Sequence, residues 1–129
     1  MLIGELSRRT GVKARLLRYY EAQGLLDAGR EPNGYRDYDE DAVVTVWRVR
    51  ALLDAGLSTG VIRSVLPCVR GEAQELPEFD WCADLRGILQ GEVTAMDEHI
   101  ENLRRTRGTL TGYLAHSPEG PPLPGRAYP

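Results

Sequence analysis

A long helical pattern near the end of the chain constrains its fold more than any other feature. Apolar residues recur there at alternating spacings of four and three, broken once by Arg107: Leu89, Val93, Met96, Ile100, Leu103, Leu110 and Leu114. Such a heptad-like seam requires a partner helix. At about 1.5 Å per residue, segment 83–115 would form a rod of roughly 50 Å, which a small head cannot cover. The seam therefore predicts that these seven residues pair with a second copy of the chain.

Four glycines fall inside this segment, in two pairs spaced four residues apart: Gly87 with Gly91, and Gly108 with Gly112. Each costs about 1 kcal/mol of helix stability relative to alanine. Because glycine also lets two backbones come close together, the pairs are interpreted as points of close helix approach.

The first part of the chain predicts two short helices joined by a glycine turn. Residues 3–10 place apolar residues at helical spacing, and Gly11 follows them as a glycine does just past a helix end. A second helix is predicted from Lys13 to Gln23. Its buried side is expected to hold Leu16, Leu17 and Tyr20. Two short helices joined in this way form a helix-turn-helix.

The next segment predicts a small β-ribbon, or wing, and then two more helices. Asn33-Gly34 is a strong hairpin signal because both residues accept positive φ, and residues 35–38 are typical of a short strand. A third helix is predicted from Asp39, its N-cap, to Ala55. Ser58 is expected to cap a fourth helix, which Pro67 prevents from continuing.

These elements predict four regions: a head at residues 1–70, an acidic linker at 71–82, a dimerisation helix at 83–115, and a proline-rich tail, expected to be disordered, at 116–129. Charge follows the same division, although the whole chain carries only −3. Residues 1–36 hold seven Lys and Arg against four Asp and Glu, whereas residues 71–129 hold five Arg against ten acids. A basic head suits a polyanionic partner.

Several classes of protein are disfavoured by the sequence. No catalytic pair, phosphate-binding loop or metal cage is present, so we expect neither an enzyme nor a bound cofactor. No apolar run is long enough to span a membrane, and the first residues lack the charged and apolar blocks of a signal peptide. We therefore expect a cytoplasmic protein with no membrane partner, whose two cysteines stay reduced.

The head carries a set of motifs that closely resembles the signature of the MerR family of transcriptional regulators. Residues 16–21 read LLRYYE, residues 24–26 read GLL, and residues 33–38 read NGYRDY. The resemblance is dense over residues 1–70, and the long helix after them agrees in architecture. It implies a mainly α fold, in which a winged helix-turn-helix DNA-binding domain precedes a long antiparallel coiled-coil dimerisation helix.

The resemblance also implies a function. Members of the family bind a pseudo-palindromic operator in double-stranded promoter DNA as homodimers. In response to an effector they bend and untwist that DNA, at a cost of several kcal/mol, which realigns the promoter elements for RNA polymerase. The alternative is an effector-independent, excisionase-like architectural protein, which would share the winged head but would not need the long helix.

Nine residues are predicted to contact DNA: Lys13, Ala14, Arg15, Arg18, Tyr19, Tyr35, Arg36, Tyr38 and Ser58. The start of the second helix would enter the major groove, where only outward side chains reach the bases. Arg15 is the best candidate to read a base, because a guanidinium group can bind guanine through two hydrogen bonds. Arg18 and Arg36 would instead bind phosphates.

The remaining roles come from the resemblance and from helix geometry. The matching tyrosines of the family clamp the DNA backbone near the operator centre, which implies that role for Tyr19 and Tyr38. Ser58 would bring the start of the fourth helix to a phosphate. Where Lys13 stands, the family often has Ser or Thr, so the second helix is expected to lack a side-chain cap.

The sensed signal is the least determined feature of the sequence. Cys82 stands at the start of the dimerisation helix, where metal-sensing members of the family place a cysteine, but only His116 follows that helix as a further donor. Metal binding, a thiol redox switch through Cys68 and Cys82, and simple packing of both cysteines all stay open. A small-molecule effector between the helix and the aromatic residues of the linker, Trp81 among them, is a further alternative. An iron–sulfur cluster is disfavoured because it needs four thiolates.

Overall fold

The computed structural model describes residues 1–30, 32–71 and 77–125, with Arg30 described by its backbone alone. The described residues form five α-helices and four two-residue strands: α1 (Ile3–Thr10), α2 (Ala14–Ala22), β1 (Gly29–Arg30), β2 (Arg36–Asp37), α3 (Glu40–Asp54), α4 (Thr59–Val65), β3 (Val69–Arg70), β4 (Glu78–Phe79) and α5 (Ala83–Ala115). The mainly α architecture with a winged helix-turn-helix and a long final helix confirms the predicted fold class.

The turn between α1 and α2 depends on a glycine. Gly11 has φ 75°, a left-handed conformation that is strained for other residues, and its N–H donates to the Ser7 carbonyl (2.9 Å). After the turn, Lys13 precedes α2 without a side-chain cap, as expected. Leu17 and Tyr20 are buried, but Leu16 is 39% exposed. The expectation for Leu16 was wrong because it lies about 100° around the helix from Leu17.

The wing forms, but with a different turn from the one predicted. β1 and β2 pair antiparallel, with Gly29 opposite Asp37. Gly34 has φ 85°, whereas no described residue other than glycine has positive φ. Asn33 therefore does not adopt the positive φ that the hairpin signal suggested; its Oδ1 accepts a hydrogen bond from the Tyr35 N–H (3.1 Å). The loop is longer, and residue 31 lies outside the described residues.

Helices α3 and α4 begin at the predicted side-chain caps. The Asp39 carboxylate accepts from the Ala42 N–H (3.2 Å), and the Ser58 hydroxyl oxygen accepts from the Val61 N–H (3.3 Å). Such caps satisfy N–H groups that have no partner within the helix. A short 3-10 helix, Leu66–Cys68, replaces α-helix where Pro67 stands. Buried residues of all four head helices form one apolar cluster.

A second small hairpin lies where the sequence suggested only a linker. β3 and β4 pair antiparallel with Val69 opposite Phe79, and the Asp80 N–H continues the pairing by donating to the Cys68 carbonyl (2.8 Å). Val69 is fully buried, which anchors the hairpin to the core. Part of the predicted linker, residues 72–76, lies outside the described residues.

Helix α5 has the bounds that the periodicity predicted. The chain divides into two compact units, Met1–Gln90 and Gly91–Pro129. In the first unit Leu85 is buried, and Ile88 and Leu89 pack against the core. In the second unit the seam is exposed, from 40% at Met96 to 73% at Leu114.

The glycines of α5 meet no neighbour in the described part of the chain. A Cβ built at any of the four would find nothing within 4 Å apart from the helix's own nearby backbone. Beyond α5, residues 116–125 form no helix or strand. The rest of the predicted tail, residues 126–129, lies outside the described residues.

Candidate nucleic-acid interface

The outward face of α2 concentrates the residues predicted to contact DNA. Leu17 and Tyr20 hold the inner face of the helix against the core. Arg15, Arg18 and Tyr19 lie on the opposite side at spacings of three and four, and all three are exposed. Ala14, at the start of the helix, is half-buried. The helix therefore presents two guanidinium groups and a phenol in one row.

The cations of this row, together with Lys13 just before α2, have no partner among the described residues. Lys13, Arg15 and Arg18 form no hydrogen bond or ion pair through their side chains there. Arg9, by contrast, binds the Glu40 carboxylate through two hydrogen bonds (2.5 and 2.6 Å), which raises the pKa of Arg9 and lowers that of Glu40. The outward cations of α2 are thus available to an external anion.

Two concave surfaces flank α2 and bring the predicted residues together. An open cavity of about 690 Å³ between α1 and the wing is lined by Arg18, Tyr35 and Arg36 among others. A second, of about 1010 Å³, is lined by the following residues: Gly11, Val12, Lys13, Arg15, Leu16, Tyr19 and Arg50. Six of the nine predicted contact residues line these two surfaces. A seventh, Ala14, lies on α2 between them.

The wing residues differ in how freely they are presented. Tyr35 is 65% exposed at the tip. Arg36 is half-buried, and its Nε donates to the Glu21 carboxylate (2.5 Å). Arg36 therefore ties the wing to α2, and any phosphate would compete with Glu21 for it.

Tyr38 contradicts its predicted role as a DNA clamp. The side chain is 2% exposed and belongs to the core, and its N–H donates to the Met1 carbonyl (2.8 Å). Burial raises the pKa of the Tyr38 phenol, and the Glu21 carboxylate raises it further, although the hydroxyl makes no hydrogen bond of acceptable geometry. The chain after β2 turns inward, so this ring cannot reach a phosphate.

Two arginines outside the recognised motifs also shape the surface. Arg50 of α3 is exposed and lines the same concavity as Arg15. The Arg63 Nε donates to the Gln23 carbonyl at the end of α2 (2.7 Å) and so fixes that helix end. Both were missed because a sequence pattern does not show which residues of separate helices meet. Ser58, the remaining predicted contact, is exposed at the start of α4.

The candidate effector residues do not form a donor cluster among the described residues. Cys68 is half-buried and Cys82 exposed, both as free thiols. The Cys82 sulfur accepts a hydrogen bond from the Leu85 N–H (3.4 Å) and caps α5. Trp81 is 61% exposed, with its ring 5.3 Å from that of Phe79. Within the described ranges, no three His, Cys, Asp or Glu side chains are grouped to hold a metal.

The described helices differ from membrane-spanning helices. None of them combines the length and apolar character needed to cross a bilayer.

Comparison with known proteins identifies consistent relatives. Residues 1–67 match the MerR HTH family of regulatory proteins. Over 120 residues the chain is 38% identical to the HTH-type transcriptional regulator HmrR of Rhizobium leguminosarum bv. viciae, covering 93% of this chain and 88% of that protein.

Two solved structures share the fold. The transcription regulator PbrR691 from Ralstonia metallidurans, in complex with lead(II), superposes with a TM-score of 0.76 at 22% identity, over 95% of this chain and 92% of that one. HiNmlR, a MerR-family regulator lacking the sensor domain and bound to promoter DNA, gives a TM-score of 0.52 at 21% identity, over 88% and 86% of the two chains.

Proposed function

This chain belongs to the MerR family of helix-turn-helix regulatory proteins and is a transcriptional regulator, and from that premise we propose that it binds a pseudo-palindromic promoter operator as a homodimer. The observation that carries the proposal is the row of cations on α2, which have no partner among the described residues. Phosphate neutralisation supplies much of the affinity of protein for DNA. A regulator whose exposed arginines were already paired with carboxylates would lose that contribution.

Each residue of the surface has a distinct role in this proposal. Arg15, near the start of α2, reads a guanine in the major groove. Lys13, Arg18 and Tyr19 bind phosphates, and the half-buried Ala14 lets the helix come close to the base edges. Contacts of this kind position the protein, whereas base contacts specify the sequence.

The edges of the surface extend the contact. Tyr35 at the wing tip and Arg50 on α3 flank the row on either side, and Ser58 adds the start of α4. Arg36 contributes a phosphate contact when its guanidinium group leaves the Glu21 carboxylate and binds the DNA backbone.

Dimerisation through α5 supplies a second DNA-binding head for the other half-site of the operator. The exposed seam of that helix matches the requirement for a partner helix, and an antiparallel pair of chains relates two heads by a two-fold axis. Two-fold proteins bind two-fold operators. The bound dimer bends and untwists the operator in response to an effector, which lets RNA polymerase engage the promoter.

The DNA-binding part of the proposal is tested by fluorescence anisotropy with the promoter segment upstream of the gene. Arg15→Ala should weaken specific binding by about 10- to 100-fold, because it removes the hydrogen bonds to one guanine. Arg18→Ala should weaken specific and nonspecific duplexes alike and reduce the salt dependence. Arg105→Ala, which removes the same charge from α5, is the matched control. Equal behaviour of all three variants would contradict the proposal.

Distortion of the operator is tested separately by permanganate footprinting of the promoter complex. The proposal predicts reactive thymines at the operator centre when the effector is bound. Unaltered base pairing with every candidate effector would favour the alternative, an architectural protein without a switch.

Metal response is a second candidate for the signal, favoured by the lead complex of PbrR691 and by Cys82 at the start of α5. The described residues of one chain contain no group of three donors, so a metal at Cys82 would need further ligands from outside that part of the chain. Titration with Pb²⁺, read by Trp81 fluorescence in the wild type and in Cys82→Ser, tests this candidate. No saturable change would exclude lead as the signal, and the same pair of proteins under peroxide tests the thiol alternative.

A further inference from the structure

Along the seam of helix α5 acidic residues come before basic ones, and the proposed homodimer does not by itself explain this order. Between Glu92 and Arg107 the acidic residues come first, among them Asp97, and the basic residues follow, among them Arg104. All the described residues from Val93 to Leu114 at seam positions are exposed, and Asp97 forms no ion pair within the described part of the chain. Arg104 makes one long, exposed ion pair with Glu101 of its own helix (3.9 Å), which an interchain carboxylate can replace or share. The charged side chains beside the seam can therefore form ion pairs with a second copy of the chain.

We propose that α5 pairs with α5 of a second copy in one antiparallel register, with the two-fold axis between Glu101 and Asn102, fixed by two symmetric ion pairs between Asp97 and Arg104 of the second copy. The proposal rests on the homodimer proposed above and adds the residues that align it. In heptad terms the seam alternates between positions a and d, and Asp97 and Arg104 both occupy position e beside it.

A parallel arrangement is opposed by Arg107. This arginine is the one break in the seam and occupies an a position, so in a parallel, in-register pair it would face its own copy. Two guanidinium groups in an apolar layer repel each other and are poorly hydrated. In the antiparallel register Arg107 instead faces Met96, along which its aliphatic stem can lie while its head reaches water.

The proposed register also gives every exposed seam residue a partner. The layers join residues from opposite ends of the two helices: Val93 with Leu110, Met96 with Arg107, and Ile100 with Leu103. Leu114 faces Leu89, which is half-buried because it also packs against its own head. A shift by one heptad in either direction leaves two seam positions at an end of each helix without a partner. Since apolar contact supplies the affinity, the complete set of layers is favoured.

Charge excludes the two shifted registers more sharply. In antiparallel coiled coils, e positions of the two helices lie beside each other. Sliding one helix by one heptad moves the two-fold axis by half a heptad. A move towards the start of α5 sets Asp97 against Asp97 of the second copy, and a move the other way sets Arg104 against Arg104. An exposed ion pair contributes little stability by itself, but replacing attraction by repulsion selects between registers.

Cysteine cross-linking measures the register directly. His99 and Thr106 lie at g positions on the other side of the seam and leave the proposed ion pairs intact. In a Cys68→Ser, Cys82→Ser background, we expect a short bismaleimide to link His99→Cys to Thr106→Cys when the two variants are co-expressed. Neither variant should link to itself. Self-linking of His99→Cys or of Thr106→Cys would show one or the other shifted register and overturn the proposal.

Charge reversal tests the cause of the register. Asp97→Arg and Arg104→Asp should each raise the dimer dissociation constant about tenfold, and the double variant should return it to within about threefold of the wild type. Mixed together, the two single variants should form heterodimers in preference to either homodimer. If the double variant is as weak as the singles, the ion pair does not set the register.

The outcomes separate this proposal from the proposed function. A dimer with another register overturns the first and leaves the second standing. A wild-type chain that stays monomeric at all concentrations contradicts both.

Discussion

The adjacent tyrosines of α2 have different surroundings. Tyr19 is 48% exposed beside Arg15, whereas Tyr20 is 1% exposed and belongs to the core. One step along an α-helix turns the side chain by about 100°, so a motif such as RYYE contains both an interface residue and a core residue. The inward position of Tyr20 follows from its spacing with Leu17. That of Tyr38 did not, because two residues of strand give too short a pattern to show which face is buried.

Replacing Tyr38 by phenylalanine should leave DNA binding unchanged. The hydroxyl is buried without an acceptable hydrogen bond, so removing it should leave the free energy of unfolding unchanged or raise it by up to about 1 kcal/mol. Denaturant unfolding and operator anisotropy on the same sample measure both quantities. Tyr19→Phe is the comparison, because removal of its proposed phosphate contact should weaken binding. A large drop in operator affinity in Tyr38→Phe but not in Tyr19→Phe would instead support a contact between the Tyr38 hydroxyl and the DNA backbone.

Alkaline pH should destabilise the head through its buried tyrosines. Burial raises the pKa of Tyr20 and of Tyr38 above the ordinary value near 10. Their contribution to stability is therefore fully present below pH 10 and is lost as pH rises through the raised pKa values of the folded state. Thermal unfolding at pH 8 and at pH 11 should show this loss, and the Tyr20→Phe, Tyr38→Phe variant should show less of it. An equal loss in both proteins would assign it to other groups.

Long helices were easier to predict from the sequence than short strands. The apolar periodicity of α5 extends over about seven turns, and both ends of the helix were predicted to the residue. The head helices were recognised from their caps and glycines to within a residue or two. The β3–β4 hairpin was missed because strands of two residues show no alternation, and its position depends on burial of Val69 in a core that only the folded chain defines.

Glycine-to-alanine substitutions should have opposite effects in two elements. At Gly91 and Gly112 of α5 an added Cβ meets nothing within 4 Å in the described chain, and alanine should stabilise the helix by about 1 kcal/mol at each position. At Gly24, φ is 74° and the new Cβ would lie 3.3 Å from the Arg63 Nε. Alanine there should destabilise the head by about 1–2 kcal/mol. Circular dichroism of thermal unfolding measures all three, and destabilisation by alanine at Gly91 or Gly112 would contradict the open surroundings of those positions.

For the whole molecule, the exposed seam is the feature that a single chain leaves unexplained. Ile100→Glu places a charge in the central layer of the proposed dimer and should yield a monomer with a folded head. Because two linked heads bind far more tightly than one, operator affinity should fall by about 100-fold or more. Glu98→Lys changes a charge on the outward side of α5 and should leave mass and affinity unchanged. Sedimentation velocity and anisotropy report the two effects, and an Ile100→Glu protein that stays dimeric would contradict the seam.

The central claim, sequence-specific binding of DNA by a two-fold dimer, is tested most directly by selection of binding sites from a random duplex library, followed by sequencing. The account predicts enrichment of an inverted repeat of two identical half-sites, and disappearance of one conserved guanine from each half-site when the selection is repeated with Arg15→Ala. Enrichment of a single half-site, or of no sequence at all, would contradict it.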